Sequence, residues 1–236
     1  VAITTTDATS NSVGARGTLV PFAANTLFIT RNTPNFASLF QAAVNVGTSG
    51  SPSERGIQST YLAIGSSQNN WIRQGAHFTA IVLSDENENS DGSNLGAQDM
   101  PVNLLSQVQS RLGPNKNFTF NSLVIKSNDT ACFAAQNATH PAYYGTVYES
   151  ASSMTSGIIG SICSSDYGNE LRSIGDNVIS LVDTIQLSCE PYLGNVSVKD
   201  AASGVNLPYT LDKNRVTLNM PAAPGSSIKL SYHCMP

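Results

Sequence analysis

A short acidic loop follows one of the longest apolar runs of the chain and carries the clearest chemical signal in the sequence. Residues 85–91 hold four carboxylates and two side-chain amides, which are the oxygen ligands that Ca²⁺ and Mg²⁺ prefer in proteins. Asn87, Asn89 and Asp91 also alternate as the ligands of a calcium loop do, although Gln98 stands where an EF-hand would have its glutamate. From these residues alone, a cation site and a solvated acidic turn are equally good interpretations.

The elements around the loop predict where it lies in the fold. The run at 77–84 is almost continuously apolar, which is typical of a strand buried on both faces of a sheet. Strands and helices alternate over residues 1–187, so we predict an α/β domain with a mostly parallel sheet and helices on both faces. Ligands of such sheets bind at the carboxyl ends of the strands. We therefore expect Asp7, the 47–54 turn and the acidic loop to meet at one edge of the sheet.

The pattern changes near Cys189, and residues 188–236 are predicted to form a small all-β module. Its apolar residues alternate in period two at 196–198, 209–211, 215–218 and 228–232, with turn residues between these segments. In the first part of the chain, the remaining predictions are strands at 1–6, 27–30, 118–125 and 143–148, and helices that begin at Thr33-Pro34, after an N-cap at Ser53, at Pro101 and at Asp166.

The cysteines indicate an oxidising compartment. Cys132, Cys163, Cys189 and Cys234 form no CxxC pair and lie at no zinc-ligand spacing. In a chain rich in Asn, Ser and Thr, an even number of cysteines favours two disulfides. Sequential pairing is the simplest of the three connectivities, and four buried free thiols are the alternative.

The composition excludes some classes of partner. Only 12% of the residues are charged, about half the usual share, and the net charge of −4 comes with no basic stripe that could bind a nucleic-acid backbone. The longest apolar runs are strand-sized and too short to span a bilayer, so we expect no transmembrane segment. These features suit an extracytoplasmic protein, whether secreted, periplasmic or on the outer surface.

Several stretches carry a family resemblance. Residues 80–85 (AIVLSD) form an apolar strand that ends in Ser-Asp. Further stretches are 4–7 (TTTD), 29–35 (ITRNTPN), 45–50 (NVGTSG), 54–57 (ERGI), 84–86 (SDE) and 160–163 (GSIC), together with the β-rich tail. In this order they resemble the von Willebrand factor A-like domains of bacterial exported proteins and lipoproteins.

The resemblance implies a metal-ion-dependent adhesion site at the top edge of the sheet, with Mg or Ca as the ion. Asp85 matches the aspartate that follows the central strand, and Ser53 lies near the family's Thr or Ser, with Ser51 and Glu54 as rivals for that position. The implied partner is a protein or cell-surface ligand that is bound and not turned over. The candidate metal ligands are Asp85, Ser53, Glu54 and Asp7, and the candidates for a secondary metal or ligand loop are Glu86, Asn87, Asn89 and Asp91.

The chain also departs from the family. The Asp-x-Ser-x-Ser motif that follows the first strand of the family is absent, and the sequence begins one strand and one helix into the fold. We therefore expect a missing central strand and an open sheet edge that needs covering. The cover would come from the protein's own N-terminal segment or from neighbouring subunits.

Two other function classes compete with adhesion. A hydrolase would place His77, His140 or His233 beside a serine, but the chain has no Gly-x-Ser-x-Gly elbow, and we predict that it is not an enzyme. A structural subunit of a surface appendage or envelope assembly would also suit the low charge and the two disulfides. Metal dependence of binding distinguishes adhesion from this structural role.

Overall fold

The chain folds into two compact units in a computed structural model. The structure describes residues 1–24, 26–47, 50–66, 71–73, 76–89, 94–114, 116–138, 140–220 and 226–234. The compact units are Val1–Ile174 and Gly175–Pro236. The sequence pattern put the division after residue 187, and the assignment of 1–187 and 188–236 as domains stays a prediction.

The first unit contains a parallel sheet of three strands in the order β1-β2-β3. The strands are β1 (Phe78–Ser84), β2 (Phe118–Val124) and β3 (Ile159–Ser161), and Phe78 lies opposite Phe118 in the register. Helices flank this sheet, so the α/β class is confirmed. The α-helices of the described chain are α1 (Phe36–Ala43), α2 (Gly56–Gly65), α3 (Pro101–Leu112), α4 (Thr130–Gln136), α5 (Thr146–Met154) and α6 (Tyr167–Val182).

The main core lies between the sheet and the helices α2, α3 and α5. Its fully buried side chains exclude water over a large apolar area, which is the dominant stabilising contribution in a domain of this size. The ring of Phe120 on β2 stacks on the ring of Tyr148 on α5, with 6.4 Å between the ring centroids. The buried members of this core are Ile57, Ile64, Val82, Leu104, Val108, Phe120, Val124, Tyr148 and Ala151.

Strand β1 differs from its prediction. Within the described chain it pairs with β2 alone, so it is an edge strand. Val82 and Ser84 are buried, whereas Thr79, Ile81 and Leu83 on the opposite face are exposed. The prediction of a strand buried on both faces was therefore wrong, and it is β2 that is buried on both faces along most of its length.

The amino-terminal segment is extended but is not a strand of the sheet. Its backbone bonds to a neighbouring stretch of chain: Ile29 N donates to Val1 O over 2.9 Å, and Val20 N donates to Ile3 O over 2.8 Å. The predicted strands at 1–6 and 27–30 are therefore corrected to irregular extended chain. A small second core of Val20, Phe22, Ile29 and Ala43 holds this region together.

Three further local predictions were wrong. The segment 143–148 was predicted as a strand because of its tyrosines and valine, but α5 begins at Thr146 and buries Tyr148 and Ala151 at helical spacing. Helix α1 begins at Phe36 after Asn35, beyond the predicted Pro34. Helix α2 begins at Gly56, so Ser53 is not its N-cap.

The second unit is a small β module, as its period-two pattern predicted. One antiparallel sheet has the order β4-β7-β6, and the other pairs β5 with β8. Leu187, Val198, Val216 and Leu218 form the buried core of this module. Its strands are β4 (Thr184–Gln186), β5 (Pro191–Asp200), β6 (Tyr209–Asp212), β7 (Arg215–Leu218) and β8 (Ile228–Cys234).

The four cysteines form two disulfides, which confirms that prediction. Cys132 pairs with Cys163 in the first unit, and Cys189 pairs with Cys234 in the second. The two bonds join residues 31 and 45 positions apart, and cross-links of such loops stabilise a fold by roughly 3–4 kcal/mol in the chain-entropy model. No helix among the described residues is long and apolar enough to cross a membrane.

Candidate functional site

The predicted site residues lie at the carboxyl end of β1 and beside the first turn of α2. The backbone links them: Arg55 N donates to Thr6 O over 2.7 Å, and Asn89 N donates to Glu54 O over 2.8 Å. Asp7 is joined to the same region because Ser51 N donates to its carboxylate over 2.9 Å. Three separate parts of the sequence therefore meet at one edge of the sheet.

The Asp7 carboxylate is saturated by protein donors. The backbone N–H groups of Thr9, Ser10 and Ser51 each donate to it over 2.9 Å, and the Ser10 hydroxyl donates as well. Burial alone would raise the pKa of Asp7, but these hydrogen bonds outweigh it and hold the pKa far below the usual range. Asp7 therefore ties its own loop to the 50–51 turn.

Glu54 differs from Asp7 in that its surroundings raise the pKa of the carboxyl group. The Ser84 hydroxyl donates to its carboxylate, and Thr6 adds a second side-chain hydrogen bond. Burial raises the pKa of Glu54 most strongly, the hydrogen bonds from Ser84 and Thr6 lower it, and the nearby charges of Glu86 and Asp85 raise it, so that the pKa lies at about 7. Near neutral pH this carboxyl group is therefore close to half protonated.

Glu88 has a structural role that the sequence analysis missed. Its two carboxylate oxygens accept hydrogen bonds from Ile57 N (2.8 Å) and Gln58 N (2.9 Å), which are first-turn N–H groups of α2. No side chain at the N-cap of α2 bonds these groups, so Glu88 satisfies them from a distant loop. No signal in the sequence indicated this role, because Ser53 was available as a local N-cap, whereas in the structure Arg55 stands at that position.

Burial dominates the titration of Glu88. The side chain is only 2% exposed. Desolvation raises its pKa to about 8, and the nearby charge of Asp99 also raises it, while the Ile57 and Gln58 N–H groups partly oppose the shift. The Tyr148 hydroxyl also bonds Glu88 and accepts a hydrogen bond from Gly56 N over 3.0 Å.

Asn87 fixes the amino end of α5 in the same manner. Its side-chain oxygen accepts a hydrogen bond from Val147 N over 3.0 Å, and its side-chain nitrogen donates to the Thr146 hydroxyl over 3.1 Å. The acidic loop thus holds the first turns of two helices, with Glu88 on α2 and Asn87 on α5. In this part of the loop, the polar side chains form hydrogen bonds with other groups of the protein.

Of the remaining predicted residues, some are buried in the protein and others are partly exposed at its surface. Ser53 is buried, and its hydroxyl donates to the Asn89 side-chain oxygen over 3.5 Å. Asp85 and Glu86 are partly exposed, and the Asp85 carbonyl accepts a hydrogen bond from Tyr143 N over 3.0 Å. Asp91 lies outside the described residues.

The described side chains do not fit a metal site as they stand. Among them, no group of three or more His, Cys, Asp or Glu residues is arranged to hold a metal ion. The carboxylates of Asp7, Glu54 and Glu88 accept hydrogen bonds from N–H or hydroxyl donors that a cation would have to displace. Binding of Mg or Ca at this edge therefore stays a prediction.

The open edge of β1 is the other candidate site, and the register identifies its exposed backbone groups. Phe78 N donates to Asn117 O over 2.9 Å, so the backbone of Phe78 faces β2. Because alternate residues of a strand direct their N–H and C=O groups to opposite sides, those of Thr79, Ile81 and Leu83 face away from β2. No backbone group elsewhere in the described chain bonds to them.

Comparison with protein-family models finds no matching family, and comparison with curated proteins finds no match. The von Willebrand A-like assignment therefore stays a prediction.

Proposed function

We propose that this chain is an extracytoplasmic binding domain that accepts an extended segment of another protein at the open edge of β1. One observation carries the proposal: the outward N–H and C=O groups of Thr79, Ile81 and Leu83 have no partner among the described residues. Edge strands of this kind bind extended peptides by main-chain hydrogen bonding. We propose binding and not catalysis as the output.

The side chains of β1 support the same function. Ile81 is 46% exposed and Leu83 is 54% exposed, so an apolar surface lies beside the open backbone. Proteins normally protect an exposed edge with lysine, proline or a bulge, but β1 (FTAIVLS) contains no charged residue and no proline. A docked strand would satisfy the backbone and cover both side chains.

The compartment and the class of partner are part of the proposal. The two disulfides favour an oxidising location, which supports an extracytoplasmic protein. The von Willebrand A-like resemblance favours adhesion to a protein or cell-surface ligand. If the docked strand comes from a neighbouring subunit, the same edge would serve assembly of a surface structure.

Substitutions of Ile81 test the proposal with a matched pair of variants. Ile81→Ala and Ile81→Pro both remove the isoleucine side chain, but only the proline variant also lacks the outward N–H group. The probe is an end-blocked peptide of alternating valine and isoleucine flanked by serine, titrated by calorimetry. We expect proline to weaken binding about 3- to 10-fold relative to alanine, which is the net value of one hydrogen bond.

Folding controls make the comparison decisive. Proline at position 81 leaves the ladder with β2 intact, whereas Val82→Pro removes an inward N–H group and should unfold the first unit. Equal affinity of the alanine and proline variants, or no binding to the wild-type protein, would contradict strand addition. Repeating the titration in EDTA and then with calcium or magnesium separates metal-dependent adhesion from metal-independent assembly.

A further inference from the structure

The amino-terminal segment has its own row of outward backbone groups. Val1, Ile3 and Thr5 bond the neighbouring stretch of chain at Ile29, Val20 and Gly14. In an extended chain the intervening residues direct their backbone groups to the other side. Ala2 and Thr4 accordingly have no backbone hydrogen bond to another described residue.

The two ends of this segment lie near the two ends of β1. At the carboxyl end, Glu54 takes side-chain hydrogen bonds from both Ser84 and Thr6. At the amino end, the Val1 nitrogen lies close enough to Arg73 for the charge of Arg73 to act on it. The Trp71 ring packs edge-on against Phe78, with 5.8 Å between centroids, so this arginine lies near the start of β1.

We propose that 1–6 and β1 are the two walls of a slot for a single extended strand of a partner protein, and that this strand runs parallel to β1. The inference rests on the proposed function and adds the second wall, the direction and the charge pattern of the ligand. Each wall contributes backbone groups without described partners: Ala2 and Thr4 on one side, and Thr79, Ile81 and Leu83 on the other. One inserted strand would pair with both rows.

The direction follows from the neighbouring chain. Strand β2 runs parallel to β1, and the segment 1–6 runs from the Arg73 end towards the Ser84 end as β1 does. A parallel strand would extend the same ladder pattern across the slot. Its side chains would meet the main core on one face and Ile81 and Leu83 on the other, so an apolar residue is favoured at every position.

Charges at the two ends of the slot specify the flanks of the ligand. Arg73 and Lys116 lie at the amino end, where the Lys116 ammonium group donates to Arg73 O over 2.7 Å. Asp85 and Glu86, together with Glu54, lie at the carboxyl end. The complementary ligand is an apolar strand with Asp or Glu before it and Lys or Arg after it.

Two peptides of identical composition test the direction and the charge pattern. One carries two glutamates before a valine–isoleucine core and two lysines after it, and the other has these charges exchanged. We expect the first peptide to bind at least about tenfold more tightly at low salt, and the difference to shrink as salt is added. Tighter binding of the exchanged peptide, or equal affinity for both, would overturn the inference while leaving strand addition in place.

A variant of the other wall tests the slot itself. Ala2→Pro removes an outward N–H group, whereas Ala2→Ser keeps it, and neither change touches β1. We expect the proline variant to bind the first peptide about 3- to 10-fold more weakly than the serine variant. Equal affinity would show that β1 acts alone, which refutes the slot but not the proposed function. Failure of every peptide to bind the wild-type protein would refute both.

Discussion

Replacing Glu88 with alanine is expected to lower the free energy of unfolding by about 3 kcal/mol, among the largest effects of any single polar substitution in this chain. The change leaves the buried Ile57 N–H group and the partly buried Gln58 N–H group without this acceptor at the start of α2. The measurement is denaturant unfolding near pH 6. Glu88→Gln is the matched control, because the glutamine side-chain oxygen retains one of the two acceptors. Its loss of unfolding free energy should therefore be clearly smaller than that of the alanine variant.

The same residue predicts how stability depends on pH. The pKa of Glu88 is raised to about 8 in the folded protein from an ordinary value of 4.5. Between these values the unfolded chain releases the proton and the folded chain retains it, so stability falls as pH rises, by up to about 1.4 kcal/mol per pH unit for one group. Glu54, with a pKa of about 7, adds to the loss over a narrower window.

Glu88→Gln should therefore flatten the pH profile between pH 5 and pH 8 as well as preserve the fold. The measurement is the urea midpoint of wild type and variant across this range. An unchanged slope in the variant would show that Glu88 does not carry the titration. A wild-type protein that became more stable with rising pH would contradict the sign of the raised pKa.

Replacing Asn121 with leucine is expected to destabilise the first unit by about 3 kcal/mol, because a fully buried side chain that bonds three neighbouring polar groups is lost and Ile158 N is left without this acceptor. Asn121 is fully buried at the centre of β2. Its nitrogen donates to the Thr79 hydroxyl (2.8 Å) and to Ala80 O (3.1 Å), and its oxygen accepts from Ile158 N (2.9 Å). It thereby cross-links β1 to the chain that leads into β3.

Leucine has a similar volume, so the comparison isolates hydrogen bonding from cavity formation. The control is Asn169→Ala on the exposed face of α6, where we expect a change of no more than about 0.5 kcal/mol. Chemical unfolding followed by tryptophan fluorescence reports the effect, since Trp71 packs against Phe78 of β1. A loss for Asn121→Leu no larger than for the control would contradict the proposed cross-link.

The sequence was most informative where one periodicity ran without interruption. Helix α3 was anticipated from Pro101 at its first position and from the glycine that ends it, and both are found there. The tail alternated in period two and forms β strands. The convergence of Asp7, the 47–54 turn and the acidic loop was also predicted from the rule that loops at the carboxyl ends of parallel strands lie at one edge, although only the acidic loop follows a strand of the sheet.

The burial of β1 could not be predicted in the same way. An apolar run such as AIVL is compatible with a central strand and with an edge strand that has one exposed apolar face. Which of these applies depends on pairing with residues distant in sequence. Here the fully buried position is taken by β2, which holds Asn121 and Ser122 at its centre and looked less apolar.

The role of the acidic loop was hidden for a related reason. Asn87, Asn89 and Asp91 have the spacing of cation ligands, but a helix start that lacks its own cap needs the same kind of oxygen acceptor, which Glu88 and Asn87 supply. The first turns of α2 and α5 lie beside the loop in space and far from it in sequence. Local spacing therefore could not distinguish a cation loop from one that holds two helices.

Hydrogen exchange along β1 tests the central claim most directly. In the free protein, the amides of Thr79, Ile81 and Leu83 should exchange rapidly, while those of Ala80 and Val82, which face β2, should be protected. A saturating amount of the apolar strand peptide should slow the three outward amides to a rate similar to that of the inward ones. Outward amides that are already protected in the free protein, or that still exchange rapidly with peptide bound, would contradict strand addition at β1.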